Sequence, residues 1–188
     1  MPEATVEDIL GVIHDRDYLG FLHTASREAT STHPVFAPEW AAPEVAADTP
    51  VCAGSANAAR SAVEAALTAA RLLHSGAAAT YALCRPPGHH AGRRWMGGYC
   101  YLNNAAAAVA YLRRETRATI GVLDIDFHMA NGTASITADM EGVWLESIHG
   151  STLKNFPWLP DFFRRRPSVV PAGFLESEAP PAPAEEVE

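Results

Sequence analysis

The sequence predicts an α/β domain with a mainly parallel central sheet. Strand-like segments at 80–84, 119–127 and 142–148 are rich in apolar residues, and a helical segment at 103–114 separates the first two. Such alternation is typical of parallel strands, which need a crossover helix between them. The chain has 188 residues, of which 48% are hydrophobic and 19% charged. These values are ordinary for one globular domain with a buried core.

The N-terminal part is predicted to be helical on both sides of a long loop. Residues 3–26 have helical spacing, with an apolar stripe formed by Ile9, Val12, Ile13, Leu19 and Leu22. Residues 30–50 are rich in Pro, Ala and Thr and predict an irregular loop, a feature that is often functional. A helix should follow from Ser55, its N-cap, to about His74, with Gly76 just past its end. Its predicted buried face is formed by Val63, Leu67, Ala70 and Leu73.

The elements of the sheet come later in the chain. A short strand over 80–84 ends before Pro86, because proline cannot continue a strand ladder. An alanine-rich helix begins at Asn103 or Asn104 and ends near Arg114. The remaining predicted elements are a central buried strand over 119–127, a turn over 131–133 and a further strand over 142–148.

The bulk properties disfavour several classes of function. The formal net charge is −8, but five acidic residues lie near the C-terminus: Glu176, Glu178, Glu185, Glu186 and Glu188. The rest of the chain is only mildly acidic, and no basic patch predicts direct nucleic-acid binding. Three cysteines without a CxxC pair fit reduced thiols. With neither a signal-peptide pattern nor a long apolar run, we expect a cytoplasmic protein that does not span a membrane.

The composition changes near Arg164. Residues 164–188 are rich in Pro, Ala and Glu and lack periodicity, so we expect a disordered tail after a domain over residues 1–163. A change of reading frame at this point is one hypothesis for the shift in composition.

The most informative local pattern is Asp124, Asp126 and His128, which follow an apolar run at alternating positions. Residues two apart on a strand share a face, and sites in open parallel sheets form at the carboxyl ends of the strands. A carboxylate and an imidazole are ligands that Zn²⁺ accepts. Taken alone, the pattern also fits a solvated strand end or a magnesium site.

Two further motifs favour a metal-dependent hydrolase. In CRPPGHHAG, His89 and His90 follow a stiff Pro-Pro-Gly turn, where they could serve as general base and general acid toward a metal-bound water. Adjacent histidines are usually incidental, so this interpretation depends on their meeting Asp126 and His128. The segment 97–104 (GGYCYLNN) offers backbone that can approach a ligand closely and an aromatic wall for a slot. In isolation it predicts only a turn and a helix cap.

In this order, RPPGHHAG, MGGYCYLNNAAAA and VLDIDFHMANGT strongly resemble the histone deacetylase family. The wording is most similar to bacterial acetylpolyamine amidohydrolases and class II deacetylases, from about Val12 to Phe156. The resemblance implies a three-layer α/β/α fold with a mainly parallel sheet, shared with arginase and incomplete in this chain. It also implies a zinc-dependent hydrolase that removes acetyl groups from acetyl-lysine or from small acetylated polyamines.

Several catalytic roles are implied by the resemblance. Asp126 and His128 would bind zinc. His90 would act as general base, and His89 as electrostatic partner and proton donor. Asn131 would support His90, because a hydrogen-bond partner fixes the tautomer and orientation of an imidazole.

The resemblance also implies contacts to a second ion and to the substrate. Asp124 would orient the first catalytic histidine and offer its carbonyl to a structural potassium ion, which Ser147 would contact too. Gly98 and Tyr99 would line a tunnel for the acyl-amine stem. Asp48 would hold the substrate at the rim of that tunnel.

The sequence departs from the family pattern at the metal site. Where the family has His-His-Gly, this chain has His128, Met129 and Ala130, and the alanine would be strained if its position needed a positive φ. The family's third zinc ligand, a downstream aspartate, has no counterpart. Nor has its late tyrosine, since all five tyrosines precede the ligand strand. Three functions stay open: an active zinc deacetylase, an inactive fragment, and a module that binds acylated amines. Acetyl-lysine and acetylated polyamines both stay open as substrates, and an oligomer is possible.

Overall fold

The computed structural model describes residues 4–30, 32–41, 48–152 and 154–157. The predicted tail over 164–188 and the domain boundary near 163 lie outside these residues. The elements of the described chain are α1 (Val6–Ile13), α2 (Arg16–Glu28), α3 (Ser55–His74), α4 (Asn104–Glu115), β1 (Ile120–Asp124), α5 (Asn131–Thr137) and β2 (Val143–Ser147). No helix within the described ranges has the length and hydropathy needed to cross a bilayer.

The helix predicted over residues 3–26 is two helices, so that prediction was wrong. α1 ends at Ile13, because the next residue, His14, has an extended backbone (φ −128°, ψ 146°) that leaves the helical path. The His14 side chain is buried, and its two ring nitrogens bind backbone groups far along the chain. Tertiary contacts of one residue therefore override a helical periodicity that continues through the segment. Val12, assigned to the apolar stripe, is exposed.

The predicted loop over 30–50 is irregular where it is described, apart from a 3-10 turn at Pro38–Trp40. Val35 pairs with Val51 in an isolated antiparallel bridge, which ties the two ends of the loop together.

α3 ends at His74 as predicted, and Gly76 follows it with a φ of +104°, a conformation that favours glycine. The N-cap was predicted one residue too late. Gly54 occupies that position with a φ of +84°, while the Ser55 hydroxyl accepts a hydrogen bond from the backbone N–H of Cys52 at 2.9 Å.

The main core lies where α3 packs against α1, α2 and α4. The predicted buried residues Val63, Leu67 and Ala70 face this core, but Leu73 was assigned wrongly and is 40% exposed. α4 begins as predicted, because the Asn103 side chain accepts a hydrogen bond from Ala106 N at 2.9 Å and caps the helix.

β1 and β2 form a parallel pair, with Asp124 opposite Ser147 in the register. α5 is the crossover between them, which confirms the α/β class with parallel strands. The turn predicted over 131–133 was wrong, since these residues begin α5. Ala130 precedes α5 with a φ of −75°, so alanine at this position causes no backbone strain.

The strand predicted over 80–84 is absent. Within the described ranges, these residues make no backbone–backbone hydrogen bond. Tyr81 and Leu83 are 86% and 85% exposed. The segment is apolar and alternating, but a strand needs a neighbour to pair with, and the described chain offers none there.

β1 is shorter than the predicted strand over 119–127 and is buried on one face only. On that face, Val122 and Leu145 pack against Ala130 and Ala134. The opposite side we term the uncovered face; its members are Leu123, Ile125 and Trp144, with exposed fractions of 63%, 76% and 52%. Parallel sheets are normally covered on both faces. The described chain therefore corresponds to an incomplete α/β fold.

Candidate active site

Most of the predicted site residues meet at the carboxyl end of β1. A cavity of about 290 Å³ opens there, lined by Asp48, Pro87, His89, His90, Gly98, Tyr99, Asp126, His128 and Phe156. Asp124 and Asn131 contact the two adjacent histidines. The arrangement follows from the fold, because loops that leave the carboxyl ends of parallel strands converge at one edge.

His89 is oriented by Asp124. Its Nδ1 lies 3.2 Å from Asp124 Oδ2, and its Nε2 lies 3.9 Å from Asp126 Oδ1. Burial raises the pKa of Asp124, but the hydrogen bond from His89 and the charge of that ring outweigh it, so the net pKa is lowered. Asp124 is therefore a carboxylate at neutral pH and holds the Nδ1–H of His89.

His90 is deeply buried and is oriented by Asn131. Its Nδ1 lies 2.7 Å from Asn131 Oδ1, so Nδ1 donates and Nε2 is left as the acceptor. Burial lowers the pKa of His90 to about 4, and the neighbouring His89 acts in the same direction. A neutral ring with a free Nε2 lone pair has the form that a general base requires.

The glycine-rich segment presses on the His90 ring. A Cβ added to Gly98 would lie 2.3 Å from His90 Cδ2, and Gly98 has a φ of +52°. Tyr99 follows with a φ of +62°, which is uncommon for a residue with a side chain. Its backbone N–H donates to Thr49 Oγ1 at 3.0 Å, and Thr49 in turn donates to Asp48 Oδ1 at 2.9 Å. These contacts join the predicted rim residue, Asp48, to the predicted tunnel wall.

Asp126 and His128 lie beyond the end of the strand, so the prediction that they share a strand face with Asp124 was wrong. β1 ends at Asp124, and Asp126 Oδ1 accepts a hydrogen bond from the backbone N–H of His128 at 2.8 Å, which bends the chain. Both side chains are about half exposed and open to the cavity, at 51% for Asp126 and 42% for His128.

The pair fits zinc in chemistry and falls short in number. Carboxylate oxygen and imidazole nitrogen are both zinc ligands, and His128 Nδ1 lies 3.3 Å from Asp126 Oδ1. Hydrolytic zinc sites have three protein ligands and one water. Among the residues that the structure describes, no group of three or more His, Cys, Asp or Glu side chains could hold a metal ion.

The two predicted potassium contacts are neighbours across β1 and β2. The Asp124 carbonyl accepts a hydrogen bond from Ile148 N at 2.9 Å, and the buried Ser147 hydroxyl accepts one from Ala130 N at 3.4 Å. Each oxygen keeps a second lone pair. Potassium binding here stays a prediction.

Phe156 is a site residue that the sequence did not indicate as one. Its ring centroid lies 4.5 Å from that of His90 and 6.0 Å from that of His128, with near-perpendicular planes. The residue follows β2 by several positions, and no local pattern connects it with the two histidine motifs.

Known proteins show the same sequence features and the same fold. The chain is 36% identical over 167 residues to the acetylpolyamine amidohydrolase of Mycoplana ramosa, covering 77% of this chain and 48% of that protein. It is 42% identical over 111 residues to acetylpolyamine amidohydrolase 1 of Pseudomonas aeruginosa, covering 59% and 32%. Similarity extends to histone deacetylase 8 of Arabidopsis thaliana, at 41% identity over 108 residues, covering 56% and 29%.

Solved structures agree with these sequence comparisons. The acetylpolyamine aminohydrolase from Burkholderia pseudomallei superposes with a TM-score of 0.71 and 34% identity, covering 87% of this chain and 53% of that one. The HD domain of HDA15 superposes with a TM-score of 0.66 and 30% identity, covering 83% and 40%. The chain thus spans about half, or less, of the length of these relatives.

Most of the chain matches a single protein family. Residues 1–166 match the histone deacetylase domain, a wider span than the similarity expected from about Val12 to Phe156. The chain therefore belongs to the histone deacetylase family.

Proposed function

We propose that this chain supplies the base, the orienting groups and two metal ligands of a zinc-dependent deacetylase site that hydrolyses the amide of an acetylated amine. One observation carries the proposal. His89 and His90 each have an orienting partner, Asp124 and Asn131, and both open into the cavity that Asp126 and His128 line. The acetylpolyamine amidohydrolases and histone deacetylases among the relatives support this activity class.

The chain's own residues would handle the protons. Asp126 and His128 would hold the zinc ion, which when bound lowers the pKa of water toward neutrality and polarises a carbonyl. His90 Nε2 would take a proton from the water that attacks the acyl carbon, while its Nδ1–H stays bound to Asn131. His89, held by Asp124, would donate a proton to the leaving amine.

The walls and the rim of the cavity support a proposal for the substrate class. The slot beside Gly98, Tyr99 and Phe156 would take the apolar stem of an acylated amine. At the rim, Asp48 would face the cationic remainder of a polyamine or the backbone of an acetyl-lysine peptide. Both substrate classes share the acetamide, so we propose the class of acetylated primary amines.

The test is zinc-dependent release of acetate from a monoacetylated diamine and from an acetyl-lysine peptide. Activity should vanish with a chelator and return with zinc. His90→Ala should abolish it, while His23→Ala, at an exposed histidine of α2, should not. Turnover that survives both the chelator and His90→Ala would refute the proposal.

The shortage of metal ligands among the described residues favours a second candidate, in which the chain is catalytically inactive or only binds acylated amines. Two protein ligands should hold zinc weakly. Equilibrium dialysis with zinc, followed by titration of a monoacetylated diamine, separates the cases. Tight one-to-one zinc counts for the enzyme. Saturable amine binding without turnover counts for the binding module.

A further inference from the structure

The tandem-histidine loop, residues 88–92, has an unusual set of backbone contacts. Four consecutive carbonyls of this loop accept hydrogen bonds from four separate parts of the chain. His89 O accepts from Thr133 N (3.0 Å), His90 O from Trp95 Nε1 (3.1 Å), Ala91 O from Asn103 Nδ2 (2.9 Å) and Gly92 O from His14 Nδ1 (2.9 Å). Since the loop is neither helix nor strand, these donors replace the ladder that would otherwise fix its backbone.

We infer that His14 and Asn103 are positioning residues that fix the backbone of the tandem-histidine loop, and so set where the His89 and His90 rings stand against their partners. The inference rests on the proposed function for its catalytic meaning. Neither residue lines the cavity, so neither touches substrate.

His14 links two elements through both ring nitrogens. Nδ1 donates to Gly92 O, and Nε2 accepts from the backbone N–H of Asn103 at 3.1 Å. Only the neutral Nδ1–H tautomer satisfies both contacts. Burial lowers the pKa of His14 to about 4, which keeps the ring neutral at pH 7, and the two hydrogen bonds then select the tautomer.

Asn103 joins the loop to α4 and α5. Its Oδ1 caps α4 by accepting from Ala106 N at 2.9 Å. Its Nδ2 donates to Ala91 O and to Thr133 Oγ1, the latter at 3.1 Å. The residue is fully buried, so each of these groups would be left without water if the side chain were removed.

The loop has little freedom to relax in another direction. A Cβ on Gly132 would lie 2.4 Å from Ala91 O, which shows that α5 touches the loop backbone directly. Thr133, the next residue of α5, donates to His89 O, while Asn131 holds the His90 ring. A displaced loop would therefore change the ring contacts of both histidines together.

The first test needs no catalytic activity. In the ¹⁵N-labelled chain, long-range ¹H–¹⁵N spectra report the tautomer of each histidine. At pH 7, His14 should show a protonated Nδ1 and an unprotonated Nε2. An Nε2–H tautomer, or rapid exchange between the two neutral tautomers of His14, would overturn the inference. This measurement needs no substitution in the protein.

The second test separates positioning from capping. Asn103→Asp keeps the oxygen that caps α4 but replaces the donor to Ala91 O by a second oxygen. The ring ¹H–¹³C signals of His89 and His90 should shift in Asn103→Asp. The control is Leu67→Ala, a change at a fully buried core residue of α3, whose melting temperature is measured beside that of Asn103→Asp. The shifts should be larger in Asn103→Asp than in this control. His14→Ala should shift the same signals. If the shifts in Leu67→Ala and Asn103→Asp are equal, Asn103 and His14 have only a structural role.

Discussion

At the scale of single residues, Gly98 packs directly against the ring of His90. Its missing side chain leaves room for the His90 ring, since a Cβ would come within 2.3 Å of Cδ2. His90 cannot retreat, because Asn131 and Trp95 hold its ring and its carbonyl. The His90 ring is therefore held between Gly98 on one side and its hydrogen-bond partners on the other.

Gly98→Ala should destabilise the fold by roughly 1–3 kcal/mol beyond the cost of its positive φ, because the methyl overpacks the His90 ring. Gly54→Ala is the matched control, since Gly54 has a φ of +84° and nothing within 4 Å of an added Cβ. Denaturant unfolding of both variants gives the difference. Equal losses in the two variants would show that the ring yields to the methyl group.

The two buried histidines predict how stability responds to acid. In the folded chain, the pKa values of His14 and His90 are both lowered from 6.5 to about 4, chiefly by burial. The unfolded state therefore binds more protons between these pH values. The free energy of unfolding should fall as the pH drops from about 6.5 to about 4, by at most about 3 kcal/mol for each histidine.

Denaturant titrations at pH 7 and pH 5, with metal removed, measure this fall. His14→Gln, which cannot titrate, should make the fall smaller. The pKa of Asp124 is lowered from 3.8, so this carboxyl group affects stability only below about that pH. It does not contribute to the change between pH 7 and pH 5. An unchanged slope in His14→Gln would mean that folding does not lower the pKa of His14.

At the scale of elements, α5 is pressed against the tandem-histidine loop. Gly132 lies inside this helix, where alanine would normally be more favourable by about 1 kcal/mol. The Cβ of an alanine would, however, lie 2.4 Å from Ala91 O and 2.5 Å from the carbonyl carbon of His90. Both are backbone atoms that cannot rotate away.

Gly132→Ala should therefore destabilise the protein and reduce any deacetylase activity. Gly20→Ala, in the exposed middle of α2 with nothing within 4 Å, should stabilise by about 1 kcal/mol. The opposite signs of two identical substitutions, measured by thermal unfolding, test the contact between α5 and the loop. A gain of stability in both would contradict it.

At the scale of the whole molecule, the described residues leave one face of the parallel pair β1 and β2 uncovered. Leu123, Ile125 and Trp144 present apolar surface that water does not solvate favourably. Exposed patches of this kind promote association of proteins.

Ile125→Lys should lower the self-association of the chain at high concentration and leave its melting temperature nearly unchanged, because the side chain is already exposed. Val12→Lys, at an exposed site on α1, is the control and should have little effect. Static light scattering across a concentration series checks both. Equal association of Ile125→Lys and the unaltered chain would show that the uncovered face takes no part in association.

From the sequence, α3, α4, β1 and β2 are predicted near their observed positions, whereas α5 and the break between α1 and α2 are missed. α3 and α4 were recognisable because their caps and periodicity are local, as Asn103 and Gly76 show. The prediction of a strand over 80–84 is wrong because a strand needs a partner strand, and a local sequence pattern does not reveal whether one is present. The break at His14 and the position of Phe156 depend on contacts far along the chain, which no short motif reports.

The contact between His14 and the tandem-histidine loop also bears on how the chain folds. His14 and Gly92 are 78 positions apart, so their hydrogen bond closes a long loop of chain. Loop closure of this length costs conformational entropy before any contact rewards it, and non-local contacts slow folding. The arrangement of the tandem-histidine loop should therefore arise among the last events of folding, after α1 docks. Local opening of α1 would then remove the His14 contact to Gly92 and displace the tandem-histidine loop, while most helices remain intact.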